Sequence, residues 1–190
     1  METFIEGADE NVEVKKKFLR HAYKNTERLI HLISDLDEIT RLESGKQEMH
    51  VQNFVIQDLI HEVFESLSIK TINKNISCLI KKGCEQPIMV NADREKIRQV
   101  LINLVDNAAK YGKEDGKIEA SVYKTDEKTA LIEITDDGIG IAEEHINRIF
   151  ERFYRTDYGR SRNIGGTGLG LAICKHIIEA HGQFIHARST

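Results

Sequence analysis

The chain has 190 residues, 40% of them hydrophobic and 31% charged, with a formal net charge of -4 and a pI near 6.1. That is enough apolar material for one domain of ordinary size plus an appendage, and the interleaving of basic with acidic residues argues against a nucleic-acid surface. No apolar run approaches the ~18 residues that cross a bilayer, no charged-then-apolar leader opens the chain, and Cys78, Cys84 and Cys174 form no CxxC pair or metal spacing, as suits reduced thiols in a cytosolic setting.

Residues 1–6 are too short for a helix of their own, and residues 7–11 read as a turn. A long helix is then predicted over 12–43. Its apolar residues Leu19, Ala22, Thr26, Leu29, Ile33 and Leu36 step 3, 4, 3, 4, 3, a heptad seam among charged faces. So narrow a stripe calls for partner helices, the alternative being a helix packed on its own domain. Ser44-Gly45 ends it. From Lys46 onward short β-branched segments alternate with helices. Strands are predicted at 48–51, 76–81 and 88–90, with a helix over 56–72 between the first two. A helix capped by Asp93 runs to Tyr111. The strands 117–123 and 129–136 are joined by a polar turn at 124–128. A short helix at 142–149, a glycine-rich basic loop at 158–168, a helix at 169–180 and a strand at 183–187 complete the order. The expected form is α/β: a two-layer α/β sandwich with a mixed sheet.

Three places concentrate chemistry. On the helix after Asp93, Ile97, Val100, Leu101, Leu104 and Ala108 share one sector, while Asn103, Asn107 and Lys110 fall in an adjacent sector of roughly 60°. Amides beside a core need partners; an asparagine oxygen can ligate Mg²⁺ and a lysine can reach a phosphate. A solvated helix edge would look the same. Next comes Asp136-Asp137-Gly138-Ile139-Gly140. Strand alternation puts Asp136 on the face of Ala130, Ile132 and Ile134 and turns Asp137 away. A purine amino group would partner a carboxylate there, although an Asp-Gly turn is the simpler reading of the five residues alone. The third place is Gly165-Gly166-Thr167-Gly168-Leu169-Gly170-Leu171, a glycine run opening onto a helix. Such a junction is either an anion site or a flexible connector. No Lys-Ser/Thr follows, so it is not a Walker loop, and Leu171 stands where a dinucleotide fingerprint needs glycine.

In order and spacing these segments resemble sensor histidine kinases. Residues 100–111 resemble their N box, 136–140 their first glycine box, 150–155 (Phe-Glu-Arg-Phe-Tyr-Arg) their F box, and 166–170 their second glycine box. Residues 36–45 look like the end of the second dimerisation helix. The resemblance implies an ATP·Mg²⁺ site of the type shared with gyrase, heat-shock chaperones and mismatch-repair ATPases. By it, Asn103 and Asn107 handle Mg²⁺, Lys110 and Arg155 handle phosphates, and Asn103, Lys110 and Arg155 are the catalytic set. Tyr111, Gly138, Gly140, Ile141 and Tyr154 lie beside the nucleotide, Asp136 receives the adenine amino group, and Gly166, Thr167, Gly168, Leu169 and Gly170 wrap the phosphates beneath a lid at 156–165. Residues 1–47 become a partial antiparallel helical hairpin and 48–190 the ATP-binding catalytic domain. The implied partners are a response-regulator receiver domain and a second copy through the hairpin, with no nucleic acid. The implied setting is a cytoplasmic domain of a protein anchored in the bacterial inner membrane by segments outside this chain.

Two departures shape the reading. In ATP-hydrolysing relatives a glutamate activates water at the position of Asn103, and a neutral amide cannot be a general base. That favours phosphotransfer to a nucleophile with its own reactivity. The family's acceptor histidine lies in a His-Glu/Asp…Pro segment, and none is present: Pro87 is the only proline, and His61-Glu62 falls in the helix after the first strand. Asp37 also replaces a usually apolar hairpin residue. Both ends read as truncated, so the expectation is a kinase fragment that binds ATP but does not autophosphorylate. A degenerate, non-catalytic nucleotide-binding module is the alternative.

Overall fold

The structure is a computed structural model, and it describes residues 12–45, 47–156 and 166–189. The predicted turn at 7–11 and most of the predicted lid, 157–165, lie outside the described residues. The order is α1 (Val12–Glu43), β1 (Val51–Val55), α2 (Ile56–Ser66), α3 (Ser68–Ile72), β2 (Ser77–Ile80), β3 (Met89–Asp93), α4 (Arg94–Tyr111), β4 (Lys117–Lys124), β5 (Ala130–Asp136), α5 (Glu143–Ile146) and α6 (Gly170–Ala180). β2 runs parallel to β4 and β4 antiparallel to β5, giving a mixed three-stranded sheet, while β1 and β3 form an antiparallel pair. Ile118, Ala120 and Val122 of β4 face α2 and α4 in the main core. The Ile118 and Val122 side chains each contribute about 1.5–3 kcal/mol by leaving water.

α4 is the central helix. Asp93 caps it, its carboxylate accepting the Lys96 N–H at 3.1 Å. Its core face is wider than the single sector predicted. Ile97, Leu101, Val105, Ala108 and Ala109 pack in the main core, and Val100 with Leu104 turns to a second cluster built on α1 and α6. A helix with neighbours on two sides buries more than one stripe.

α1 spans 32 residues and ends at Gly45, whose φ is +63°. Ile39 and Leu42 are buried against Leu169, Ile173 and Ile177, so this end of the helix is packed on its own domain. The seam predicted for partner helices is exposed further up, with Leu29 at 59% and Ile33 at 69%. The lower end of α1 thus packs on its own domain, while the upper stretch leaves its apolar residues exposed. Among the described residues it is the only helix before β1.

Four elements differ from expectation. β1 starts at Val51, because its pairing with β3 runs from Val51↔Asp93 to Val55↔Met89. The helix expected over 56–72 breaks at Leu67, which is buried while its N–H still bonds to the Val63 carbonyl at 3.1 Å. The short helix at 142–149 shrinks to Glu143–Ile146. Residues 183–189 form no strand; they lie beside β5 through Arg188 to Glu133 at 3.1 Å and Ile141 N–H to Ser189 Oγ at 2.8 Å. Side-chain ties of this kind hold a segment in place without a ladder.

Candidate functional site

The C-terminal half of α4, the turn after β5 and the glycine run before α6 meet at one mouth. Asn103 Nδ2 donates to the Gly170 carbonyl at 3.3 Å, tying α4 to the first turn of α6. Asn107, one turn on, is half-buried and makes no side-chain hydrogen bond among the described residues. Lys110 is one further step along the same flank, its Nζ 5.4 Å from the Tyr111 ring centre. The geometry thus keeps Asn103, Asn107 and Lys110 together, as the helical spacing predicted, but it engages Asn103 structurally.

Burial is the main cause holding the Lys110 ammonium below its ordinary pKa; Asp106 opposes it, and Arg155, Lys70 and Arg28 lower it further. Lys70 itself pairs with Asp106. Below the mouth, Lys74 Nζ donates to the Lys110 and Gly112 carbonyls at 2.7 and 3.2 Å. A cation on the last carbonyls of a helix suits the negative end of its dipole.

β5 delivers Asp136 as alternation predicted. It pairs with Ile118, on the face shared by Ile132 and Ile134. The carboxylate itself is exposed at the mouth, with Oδ1 accepting the Gly138 N–H at 2.9 Å. Asp137 points the other way, but it is more than an exposed charge: its Oδ1 accepts the Lys117 N–H at 3.1 Å and fastens the start of β4. Gly138 is required by close approach. A Cβ there would lie 2.7 Å from the Tyr111 carbonyl oxygen and 2.6 Å from Asp136 Oδ1. The Ile139 N–H donates to that same Tyr111 carbonyl at 3.3 Å, joining α4 to the turn. Gly140 has φ +70°.

The glycine run is held by backbone. Phe153 N–H donates to the Gly168 carbonyl at 2.9 Å, and a Cβ on Gly168 would come within 2.9 Å of the Phe153 carbonyl carbon. Phe153 has φ +60°, a conformation that costs a bulky residue about 1–3 kcal/mol. Thr167 Oγ1 accepts the Leu169 N–H at 3.2 Å, and Leu169 is buried. Arg155 Nη1 donates to the Gly166 carbonyl at 3.2 Å. Tyr154 sits apart from this convergence: its hydroxyl bonds with His145 Nδ1 at 2.7 Å, and Arg148 lies 4.2 Å over its ring. It anchors residues 150–155 to α5. Ile141 is half-buried and uses its N–H on Ser189.

Sequence reasoning missed Arg28, Lys70 and Lys74. Each reaches the site from an element distant in the chain, and no local pattern marks it.

The residues suit a nucleotide. Open glycine backbone and clustered cations match phosphates, and amide oxygens are acceptable hard donors for Mg²⁺. No group of three or more His, Cys, Asp or Glu side chains could hold a metal ion among the described residues, so a cation here would depend on amides and on oxygens the ligand brings. No described helix is long and apolar enough to cross a membrane.

The chain is 36% identical over 193 residues to the sensor histidine kinase WalK of Bacillus subtilis, covering all of this chain and 31% of that protein. It therefore spans about a third of the length of the curated relatives it matches. Among solved structures, full-length ShkA in complex with AMPPNP superposes with a TM-score of 0.74 at 28% identity, over 88% of this chain and 34% of that one. The histidine kinase ThkA in complex with the response regulator TrrA superposes with a TM-score of 0.71 at 28% identity, over 95% of this chain and 49% of that one. The profile described as histidine kinase-, DNA gyrase B- and HSP90-like ATPase matches residues 92–190, which hold α4, the turn after β5 and the glycine run. This chain belongs to that ATPase family.

Proposed function

We propose that the chain is the ATP-binding catalytic portion of a two-component sensor histidine kinase. It transfers the γ-phosphoryl group of ATP to a histidine outside this chain, from which the group passes to a response-regulator aspartate. The observation that carries this is the convergence of Asn107, Lys110, Asp136, Arg155 and the run 166–170 on one mouth, with an amide at position 103 where a hydrolase needs a carboxylate. Asp136 accepts from the adenine amino group through the oxygen not taken by Gly138. Lys110 and Arg155 bind phosphate oxygens, and the 166–170 backbone cradles them at the start of α6. Tyr111 flanks the base. Asn107, with Asn103, would hold Mg²⁺, which neutralises phosphate charge when bound. The depressed pKa of Lys110 is consistent with a phosphate partner, since an anion removes the neighbouring-charge part of its cost.

Similarity to ShkA and ThkA supports nucleotide binding and regulator recognition respectively, and the exposed seam Leu19–Ala22–Thr26–Leu29–Ile33–Leu36 supports pairing with a second copy. Any membrane anchor belongs to other segments of a longer protein. The test has two arms. Titration with ATP should show binding that tightens with Mg²⁺. Labelled ATP should then place acid-labile, base-stable label on an added hairpin segment bearing an acceptor histidine, and none on this chain alone. Absence of ATP binding refutes the site. Binding without transfer makes the chain a nucleotide-responsive module, and label on a histidine of this chain refutes the assignment of the acceptor elsewhere.

A further inference from the structure

The last carbonyls of α4 are shared between two parts of the fold. Lys74 Nζ, from the turn between α3 and β2, donates to the Lys110 carbonyl at 2.7 Å and to the Gly112 carbonyl at 3.2 Å. The Tyr111 carbonyl between them accepts the Ile139 N–H at 3.3 Å. One ammonium therefore fixes the peptide planes on both sides of the plane that carries the Tyr111 oxygen. Carbonyls at a helix end have no partner within the helix, so a half-buried one needs a donor from elsewhere. The packing leaves little slack. A Cβ on Gly138 would lie 2.7 Å from the Tyr111 oxygen, and one on Gly112 would lie 2.6 Å from the Ala108 oxygen.

Lys74 is itself held. Its carbonyl accepts the Asp115 N–H at 3.0 Å, and Asn75 Nδ2 beside it donates to Asp115 Oδ1 at 2.7 Å. Ser77 N–H donates to the Gly116 carbonyl at 2.9 Å, where β2 starts beside β4. Lys70, one turn earlier, pairs with Asp106 of α4. Residues 70–77 thus clasp the end of α4 and its connection to β4, and the Lys74 side chain reaches the carbonyls from a fixed backbone. The turn after β5 is in turn tied to that connection at two points, Ile139 to Tyr111 and Asp137 to Lys117.

We infer that Lys74 is a positioning residue for base recognition. It sets the Tyr111 peptide, that peptide seats the turn bearing Asp136 and Gly138, and Lys74 acts through those groups rather than on the ligand. This rests on the ATP reading above and deepens it: the base end of the site is aligned from the junction of α3 and β2, which supplies no ligand contact in that reading. The competing role is a helix cap, in which Lys74 stabilises the end of α4 and the site is indifferent to it.

Base selectivity separates the two. The affinities of adenosine, ADP, ATP and GTP are measured for the 190-residue chain, for Lys74→Met, Lys74→Gln and Lys74→Arg, and for Lys113→Met, which removes an exposed charge from the same connection. Urea unfolding of each variant runs alongside. Positioning predicts that Lys74→Met loses about tenfold for adenosine, ADP and ATP alike, and that its ATP-to-GTP affinity ratio falls about threefold or more. Lys74→Arg keeps a cation with several donors and returns the ratio to within about twofold of the wild type. Lys113→Met stays within about twofold for every ligand. Should Lys74→Met fail to fold, Lys74→Gln, whose shorter amide reaches at most one of the two carbonyls, carries the same comparison. Lower stability with every affinity and the ratio within about twofold of the wild type makes Lys74 a cap and overturns the inference. A loss confined to the phosphorylated ligands overturns it as well, because the base end is then undisturbed. A wild-type chain that binds neither adenosine nor ATP refutes the nucleotide site, and the role of Lys74 with it.

Discussion

Asp93→Ala should destabilise the chain by about 2.5–4 kcal/mol, because one side chain satisfies two backbone donors. Asp93 is only 5% exposed. One carboxylate oxygen accepts the Lys96 N–H at 3.1 Å and the other the His50 N–H at 2.9 Å. Loss of the helix cap costs about 1 kcal/mol, and loss of a charged acceptor for the His50 N–H adds about 1.5–3 kcal/mol. Burial acts to raise the Asp93 pKa, but the N–H groups of His50, Lys96 and Glu95, together with His181, outweigh it and leave the carboxyl below its usual range. A carboxylate whose folded pKa is depressed stabilises the fold above its unfolded pKa of about 3.9, and that stability is lost as pH falls through the folded value. Asp93→Asn keeps the cap but has no proton to gain, so its stability should fall less steeply below about pH 4 than the wild type's. Urea denaturation at neutral pH and in a descending pH series reads both effects. A loss under about 0.5 kcal/mol for Asp93→Ala, the scale of an ordinary surface change, would refute the reasoning.

Asp136→Asn should weaken ATP and blunt discrimination against GTP, since a rotated amide can donate to the guanine oxygen; Asp137→Asn should leave the ATP/GTP ratio unchanged, because Asp137 serves the Lys117 N–H. Competition binding decides, and reversed behaviour of the two variants would show the base to be misplaced. Asn107→Ala should lose Mg²⁺-dependent affinity on the order of 1.5–3 kcal/mol with the fold preserved, read by titration with and without the metal; equal affinity in Mg²⁺ removes Asn107 from the metal site. Cys174 is fully buried, and burial pushes its thiol pKa up to about 12. Iodoacetamide at pH 8 should therefore leave Cys174 unlabelled until urea unfolds the chain, and peptide mapping that finds it modified in native conditions would contradict its packing.

What the sequence made legible was local. The Asp93 cap and the limits of α4 follow from capping chemistry and helical period within one segment. The side taken by Asp136 follows from alternation along β5, which needs no knowledge of the partner strand. The start of β1 did not follow, because β3 sets it from about forty residues away. No glycine or proline marks the break at Leu67. Residues 183–187 have strand character, but a strand exists only where a neighbour supplies the ladder, and pattern alone cannot state that. At the site, the motif positions on α4, β5 and the glycine run were readable in register, whereas Arg28 meets Gly166 across 138 positions. The engagement of Asn103 with Gly170 and of Tyr154 with His145 also depends on tertiary packing that motif spacing does not encode.

The division of α1 into a buried end and an exposed end makes it a lever. At 1.5 Å per residue its 32 residues extend about 48 Å. Its fulcrum is the patch around Ile39 and Leu42, where close packing resists sliding. A tilt of about 5° there displaces the far end by roughly 4 Å, from that length and simple geometry. By the same geometry that displacement corresponds to less than about 1 Å at Asp35, which accepts from Thr167 Oγ1 at 3.3 Å.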